Sequence, residues 1–305
     1  MFYDYLACMD EIVKGLYRLG GVRQPAFLVM GKSRTVQIDA GPTFMGPVYL
    51  NDIRELLGKQ KWPDYLFFTH FHFDHVGSAP YLCRHFPEMR LGGSRKLIKL
   101  LELERVRETV AVLNQGLVKN YSKEKDFVHQ DFDYNTLKVD RVLKDGDVID
   151  LGGGVLIEII ATPGHTWDSL SFFLPHSKTI LTGEAVGIIP GDDFWVAPQF
   201  LSSYDDYICS IQRIREKKPK VIVMGHHYVV REVAEKFFDT SLSDCKAFRK
   251  MIEQYLKEEQ MNQEKVIQRI KEEEYLTLRK GKQPEEAFLL NIRAQVKLLS
   301  KNMTN

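Results

Sequence analysis

The sequence contains few cysteines, and their spacing gives no sign of a disulfide framework. The four cysteines lie far apart and form no C-x-x-C pair: Cys8, Cys83, Cys209 and Cys245. Secreted domains that depend on disulfides carry dense, regularly spaced cysteines, so this pattern favours a reducing cytosol. The sequence shows no basic-then-apolar signal pattern, and nowhere do about 18 apolar residues follow one another. We therefore expect a soluble cytoplasmic protein with no membrane partner.

The chain also lacks an excess of charge of either sign. Its 42 lysines and arginines nearly balance 41 aspartates and glutamates, which gives a formal net charge of +1. Proteins that bind nucleic acid usually present a strongly basic surface, so we expect no nucleic-acid partner. With 305 residues, 44% of them hydrophobic, the chain is long enough for one large domain, or for one domain plus an appendage.

Short apolar segments alternate with helical patterns as far as residue 232. The predicted strands are 12–19, 26–30, 34–39, 65–69, 137–143, 155–161, 171–174, 179–182 and 221–224. The predicted helices are 48–57, 78–86 with Ser78 as the cap, a long stretch that begins at Ser94, and 204–217. Residues 121–136 show no clean period and are predicted to be loop. The pattern indicates an α/β fold.

After residue 232 the sequence becomes helical and rich in charge. Three helical patterns follow one another, the last beginning at Pro284 with Glu285 and Glu286. We therefore divide the chain into a domain of residues 1–232 and a helical extension of residues 233–305 that packs on the core. Two roles for this extension stay open: solvated helices that cover the core, or a wall of the substrate pocket or a partner surface.

One short segment concentrates residues that bind metal ions. It follows the apolar strand at 65–68 and reads Thr69-His70-Phe71-His72-Phe73-Asp74-His75. Imidazole is the commonest protein ligand for zinc and iron, and a carboxylate completes such a set. His70 and His72 lie two positions apart in an extended segment, so both can point to one side while Phe71 and Phe73 face the apolar body. The segment predicts a metal site at the end of this strand.

Three other predicted strands end in residues of the same type. His165 follows the strand at 155–161, Glu184 follows the strand at 179–182, and His226 follows the strand at 221–224. Strand ends that meet at one edge of a layered fold commonly build a binding site. A single histidine after a strand is more often an ordinary surface residue, and that reading applies to His85, His129, His176 and His227. Of these four, His227 is the closest rival because it adjoins His226.

These elements, taken in order, resemble the metallo-β-lactamase superfamily. The matching segments are Asp39-Ala40-Gly41, Thr69 to Gly77, Thr162-Pro163-Gly164-His165-Thr166, Gly183-Glu184 and Gly225-His226. The resemblance implies a four-layer αββα sandwich, here with a helical C-terminal extension. Within the superfamily the chain resembles the glyoxalase II-like branch and is similar to the quinolone-signal response protein family, a group of thioesterases and related esterases. The residues that carry this closer match are Pro80-Tyr81-Leu82-Cys83 and the helix around Val112-Leu113-Asn114.

The resemblance also implies two adjacent divalent ions. By position, His70, His72 and His165 would hold one ion, and Asp74, His75 and His226 would hold the other. Glu184 stands where the family normally has an aspartate that bridges both ions. Its extra methylene leaves two outcomes open, a retained bridge or a ligand to one ion with a weaker second site. Ligation by histidine and carboxylate suits zinc, iron or manganese.

The resemblance predicts a metallo-hydrolase that uses metal-bound hydroxide to attack an ester or acyl-thioester carbonyl. Asp74 would orient the hydroxide and pass its proton to the leaving group, and a thiolate leaving group needs little protonation. Residues 188–200, with Phe194 and Trp195, would line an acyl channel or simply anchor their loop. A lactonase or phosphodiesterase of the same fold and a metal-binding regulator acting through a protein partner are the alternatives. A homodimer also stays open.

Overall fold

The computed structural model describes residues 9–121, 133–190, 195–232, 234–278 and 285–304. Two sheets form the centre of these ranges. The strands of the first sheet are β1 Asp10–Val13, β2 Leu16–Leu19, β3 Ala26–Met30, β4 Thr35–Ile38, β5 Tyr65–Phe67, β6 Arg90–Ser94 and β7 Val139–Leu143. Those of the second are β8 Val148–Asp150, β9 Leu156–Ala161, β10 Leu170–Leu174, β11 Thr179–Leu181, β12 Val221–Val223 and β13 Val229–Arg231.

Helices cover the outer face of each sheet. They are α1 Gly46–Leu57, α2 Phe73–Val76, α3 Ala79–His85, α4 Arg95–Glu102, α5 Glu104–Tyr121, α6 Tyr204–Glu216, α7 Ala234–Glu258, α8 Gln263–Ile270 and α9 Glu285–Thr304. A π-helical segment, Lys271–Leu278, extends α8. None of these helices has the length and apolar character that crossing a bilayer requires.

Three apolar clusters show that the fold has four layers. Between the sheets, Phe67 of the first packs with Phe172 of the second, their ring centroids 6.2 Å apart. The other face of the first sheet packs on α1, α3, α4 and α5, where Tyr49 is fully buried. The other face of the second sheet packs on α6 and on α7–α9, where Phe238 and Val296 are fully buried. This is the αββα sandwich with a helical C-terminal region that the resemblance implied; the boundary at residue 232 stays a prediction.

The strand directions determine where the site lies. The sheet orders are β1-β2-β3-β4-β5-β6-β7 and β13-β12-β11-β10-β9-β8. In the first sheet β4, β5, β6 and β7 run parallel, so their carboxyl ends share one edge. In the second, β11 and β12 are parallel to each other, and β9 has the same direction because β10 is antiparallel to both β9 and β11. Residues that follow β5, β9, β11 and β12 can therefore meet at one edge.

Several local predictions were wrong. Segment 12–19 is a hairpin of β1 and β2, because Gly15 adopts a φ of 81° at the turn. The stretch from Ser94 is two helices, α4 and α5, separated at Leu103, although Ser94 does accept a hydrogen bond from the Leu97 amide as the cap of α4. Ser78 precedes α3 without capping it, since its hydroxyl donates instead to the Pro42 carbonyl at 2.6 Å.

Three strands were not predicted: β6, β8 and β13. The strand β6 was missed because it contains Gly92 and Gly93, and glycine has a low β-propensity. Gly92 is required by packing, because a Cβ there would lie 2.6 Å from the Phe67 ring. The strands β8 and β13 have only three residues each. Of the predicted loop 121–136, residues 122–132 lie outside the described residues, and Tyr134–Thr136 forms a 3-10 turn.

Candidate metal centre

The seven candidate ligands come together at the shared edge of the two sheets. The strand β5 leads to the histidine segment, which turns into α2 so that Asp74 and His75 lie in its single turn. The loops after β9, β11 and β12 bring His165, Glu184 and His226 to the same place. Gly164 makes the approach of its loop possible: its φ is 128°, and a Cβ there would strike the main chain at Tyr207. The structure gives the positions of these seven side chains, and their binding of a metal ion stays a prediction.

The first group of donor atoms belongs to His70, His72, His165 and Glu184, all within 4.8 Å of one another. The Nε2 atom of His165 lies 3.2 Å from Nε2 of His70 and 3.1 Å from Nδ1 of His72. It lies 2.5 Å from Oε2 of Glu184. Four donor atoms at these separations surround a space of the size that a divalent ion occupies.

The second group belongs to Asp74, His75 and His226, again within 4.8 Å of one another. The Nε2 atom of His226 lies 3.5 Å from Oδ2 of Asp74. The division into two groups is the one that the family resemblance implied. His227, the rival to His226, belongs to neither group: its amide donates to the Val22 carbonyl at 2.7 Å.

Glu184 lies between the two groups. Its Oε2 faces the first group, 3.5 Å from Nε2 of His70, while its Oε1 lies 3.4 Å from Nε2 of His226 in the second. The longer side chain therefore reaches both groups at once. This arrangement favours the retained bridge over a ligand to one ion only, because each carboxylate oxygen already faces a different set of imidazoles.

Three imidazoles have partners within 3.0 Å of their outer nitrogens. Nδ1 of His75 pairs with Oδ2 of Asp39 at 2.8 Å, and Nδ1 of His70 lies 3.0 Å from the Thr69 hydroxyl, which itself donates to Asp39. Nδ1 of His165 donates to the main-chain carbonyl of Gln199 at 2.7 Å. Metal-binding histidines usually donate their second N–H to a carboxylate or a carbonyl in this way.

One buried atom tests whether the site suits a metal ion. Nε2 of His75 is buried and has no hydrogen-bond partner in the part of the chain that the structure describes. A buried polar atom without a partner carries a large free-energy cost. This nitrogen belongs to the second group, where a divalent ion would satisfy it. The residues present therefore fit a metal ion, and the nitrogen and oxygen donors suit zinc, iron or manganese.

The two groups differ in the charge that their histidines favour. Burial, together with the neighbouring His75 and His72, holds the pKa of His70 well below its usual value. Burial also acts to lower the pKa of His75, but the charge and hydrogen bond of Asp39 outweigh it and raise that pKa to about 9. Despite its burial, Glu184 keeps a pKa well below the ordinary value because His165 and the other imidazoles stabilise its carboxylate. The site thus combines an ionised Glu184, which lies between the two groups, with a neutral His70 and a protonated His75.

The predicted acyl channel receives no support from its aromatic residues. Trp195 packs towards the helical layer, its ring centroid 6.3 Å from that of Phe248 in α7. This contact corresponds to the alternative reading, in which the aromatic residue anchors its loop. Phe194, like His129 and Pro284, lies outside the described residues.

Sequence reasoning missed the residues that orient the ligands. Asp39 was noted as the end of a strand and as part of a segment that matches the family, but not as a partner of the ligands; its carboxylate also accepts from the Thr69 amide at 2.8 Å. Its position one residue beyond β4, which is parallel to β5, was the available signal. Gln199 contributes a main-chain carbonyl, for which no residue pattern exists. Tyr207 was also missed; its buried hydroxyl donates to the Glu184 carbonyl at 3.1 Å.

Fold and site together define a metallo-hydrolase scaffold, and comparison with known families agrees. The family described as the metallo-beta-lactamase superfamily matches residues 19–226, and the chain belongs to it. The chain is 24% identical over 214 residues to the Beta-lactamase-like protein 2 homolog of Caenorhabditis elegans, covering 70% of this chain and 54% of that protein. It is 23% identical over 171 residues to the Atrochrysone carboxyl ACP thioesterase of Aspergillus fumigatus, covering 55% and 39%.

The alignments thus span about half the length, or less, of these two relatives. Among solved structures, an archaeal metallo-beta-lactamase superfamily protein from Sulfolobus tokodaii superposes with a TM-score of 0.56 at 23% identity. That superposition covers 75% of this chain and 85% of the archaeal one. At this identity the likeness supports the fold alone.

Proposed function

We propose that the protein hydrolyses an ester or thioester carbonyl, with acyl thioesters as the preferred substrate class. The observation that carries the proposal is the placement of Glu184, whose two carboxylate oxygens face the two donor groups separately. The membership of the chain in a largely hydrolytic superfamily agrees with it. One relative is named a thioesterase, and the resemblance to the glyoxalase II-like branch and the quinolone-signal response proteins points the same way.

In this proposal each donor group would hold one divalent ion. His70, His72 and His165 would hold the first, Asp74, His75 and His226 would hold the second, and Glu184 lies between them. Two such ions, when bound, would lower the pKa of a bound water to about 7 and would polarise the carbonyl oxygen of the substrate. Zinc, iron and manganese all suit the donors.

The substrate approaches from the side of His72 and Asp74. Their side chains are 33% and 21% exposed, whereas those of the other five ligands are 11% exposed or less. Asp74 is therefore the site carboxylate nearest to solvent. It would orient the attacking water and could hold the released proton on the carboxylate oxygen that does not face the ion, before passing it to the leaving group. A thiolate leaving group makes little demand on this proton, which is why thioesters suit the site.

A substrate panel with a matched pair of variants tests the proposal. The purified protein is assayed on acyl-CoA thioesters, lactones and phosphodiesters, with metal content measured by elemental analysis. His72→Ala should lose metal and more than about a hundredfold in thioesterase activity, because even outer partners of metal ligands typically contribute 10–100-fold. His176→Ala is the control, since His176 is exposed in the turn after β10.

The outcomes separate the candidate substrates. Thioester hydrolysis that depends on His72 supports the proposal. Hydrolysis of phosphodiesters alone would show that the proposed substrate class is wrong and that the protein is a phosphodiesterase. A His72→Ala protein that keeps full activity on every substrate rules out the metal-dependent mechanism.

A further inference from the structure

The loop between β11 and α6 carries two parts of the metal centre. Glu184 lies at its start, and near its end the carbonyl of Gln199 accepts the Nδ1 proton of His165. The two ends are linked through the buried hydroxyl of Tyr207, which donates to the Glu184 carbonyl and lies 3.3 Å from the Gln199 amide that donates to it. Whatever holds this loop in place therefore also sets the direction of His165.

The C-terminal helices hold the loop through side-chain hydrogen bonds. In α9, Asn291 donates to Oε1 of Gln199 at 2.8 Å, and Gln295 donates to the carbonyl of Pro198 at 2.7 Å. Asn291 and Gln295 are four residues apart, so they project from the same face of the helix. Their hydrogen bonds hold two consecutive loop residues, Pro198 and Gln199, and the main-chain carbonyl of Gln199 is the acceptor for His165.

The helix α7 holds the earlier part of the same loop. The Ser241 hydroxyl donates to the Val186 carbonyl at 2.8 Å, and a carboxylate oxygen of Asp244 accepts from the Val196 amide at 3.0 Å. Within the loop the main chains of Ile188 and Ala197 pair with each other, at 3.1 and 2.7 Å. The described parts of the loop are thus fastened at four points to the helical layer.

The burial of these amides shows that packing alone does not explain them. Gln295 is 1% exposed and Gln199 is 3% exposed, although Gln295 lies in a helix face that buries Ile292, Val296 and Leu299. A buried amide is costly unless its hydrogen bonds are made, and a leucine would fill such a position at lower cost. Polar residues at this interface therefore define one docked position of α9 relative to the loop.

We propose that Asn291 and Gln295 are positioning residues of the metal centre, which act through Gln199 and the adjoining Pro198 to hold His165 in its ligand orientation. The helical extension is then a structural part of the site. The inference rests on the metal binding assumed in the proposed function, but it does not depend on which substrate is hydrolysed.

The test measures the affinity of the metal-free full-length protein for Zn²⁺ alone, by competition with a chromophoric chelator. Asn291→Ala and Gln295→Ala should each weaken binding of the tighter ion by about tenfold, the lower end of the effect typical of outer partners of metal ligands. Gln199→Met should do the same, because it removes the side-chain acceptor and keeps the carbonyl that His165 uses. The Nδ1 proton resonance of His165 should shift in all three variants.

The matched control is Gln263→Ala. Gln263 also donates an amide hydrogen bond within the helical layer, to Ser300 at 3.1 Å, and touches no loop residue in any contact described above. It should lower the thermal midpoint by a similar amount and leave Zn²⁺ affinity within about twofold. The double variant Gln199→Met/Asn291→Ala should weaken binding no more than either single variant, since both remove the same hydrogen bond.

Two results would overturn the proposal. The first is that, at equal thermal stability, the Asn291 and Gln295 variants lose no more Zn²⁺ affinity than Gln263→Ala does. The second is that the wild-type protein binds no Zn²⁺. If the variants behave as expected and no ester or thioester is hydrolysed, the proposed substrate class fails while the positioning role stands.

Discussion

The two donor groups of the metal centre differ in how closely their atoms converge. In the first, His165 lies 2.5 Å from Glu184 and 3.1–3.2 Å from the two other imidazole nitrogens. In the second, His226 is 3.5 Å from Asp74 and 3.4 Å from Glu184. The shortest outer contacts are similar, 2.7 Å from His165 to the Gln199 carbonyl and 2.8 Å from His75 to Asp39, so the two groups differ mainly in how closely their donor atoms approach one another. The first group is therefore the better formed of the two.

Protonation adds to this contrast. His70 is neutral near pH 7 because burial depresses its pKa, whereas the imidazole of His75 has a pKa of about 9 and carries a proton. A histidine must be neutral to bind a metal ion, so His75 has to release a proton that His70 does not. We expect the first ion to bind more tightly and a one-metal form to populate at limiting metal.

Removing the charge of Asp39 should affect the second group most. Asp39 has a φ of 60°, which asparagine tolerates well, so Asp39→Asn should preserve the local backbone. The variant deprives His75 of its ionised partner and places an amide donor against Thr69. At pH 9, where only about half of the wild-type His75 is still protonated, the second ion should bind about 10–100-fold more weakly. Calorimetric titration with Zn²⁺ resolves the two ions.

The first ion provides the internal control for Asp39→Asn. It should weaken less, because Asp39 reaches His70 only through the Thr69 hydroxyl. Equal losses at both ions would mean that Asp39 supports the whole edge rather than the second group.

Shortening the bridge should separate the two groups further. The family normally has an aspartate at this position, but here a carboxylate drawn back by roughly one bond length of 1.5 Å would no longer face both groups. We expect about tenfold weaker binding of the second ion, within the range for disturbed metal ligation. Two full equivalents of metal at wild-type affinity would contradict this.

The last prediction concerns pH and needs no substitution. Below the His75 pKa of about 9, metal must displace one proton from this imidazole. The affinity for the second ion should therefore rise by up to about tenfold per pH unit between pH 7 and 9, and then level off. His226, whose pKa is raised by Glu184 in spite of its burial, would steepen the slope. Titrations in buffers of different ionisation enthalpy measure the released protons, and equal slopes for both ions would disprove the contrast.

The sequence was informative for features carried by neighbouring residues. It did not predict features that depend on how the strands are aligned with one another. The segment from His70 to His75 places four candidate ligands in six positions, so a metal site could be predicted there without knowledge of the fold. The pairing of Asp39 with His75 joins residues 36 apart and depends on the parallel alignment of β4 and β5. No periodicity encodes that alignment.

Other features left no trace in the residue pattern. Gln199 supports His165 with a main-chain oxygen that every residue type possesses. In α9 the predicted apolar face is present, with Ile292 and Val296 buried, but the pattern gave no reason to single out Gln295. A buried amide can be recognised only when its partner across the interface is known.

The hydrogen bond between Gln199 and Asn291 spans 92 residues, and this separation has a consequence for biosynthesis. A ribosome adding about 5–20 residues per second needs roughly 5 to 20 s to pass from one partner to the other. Once β13 has been synthesised, both sheets can pair while Gln199 still lacks its hydrogen bond from Asn291. The support of His165 is therefore completed only when the last helix of the chain has docked.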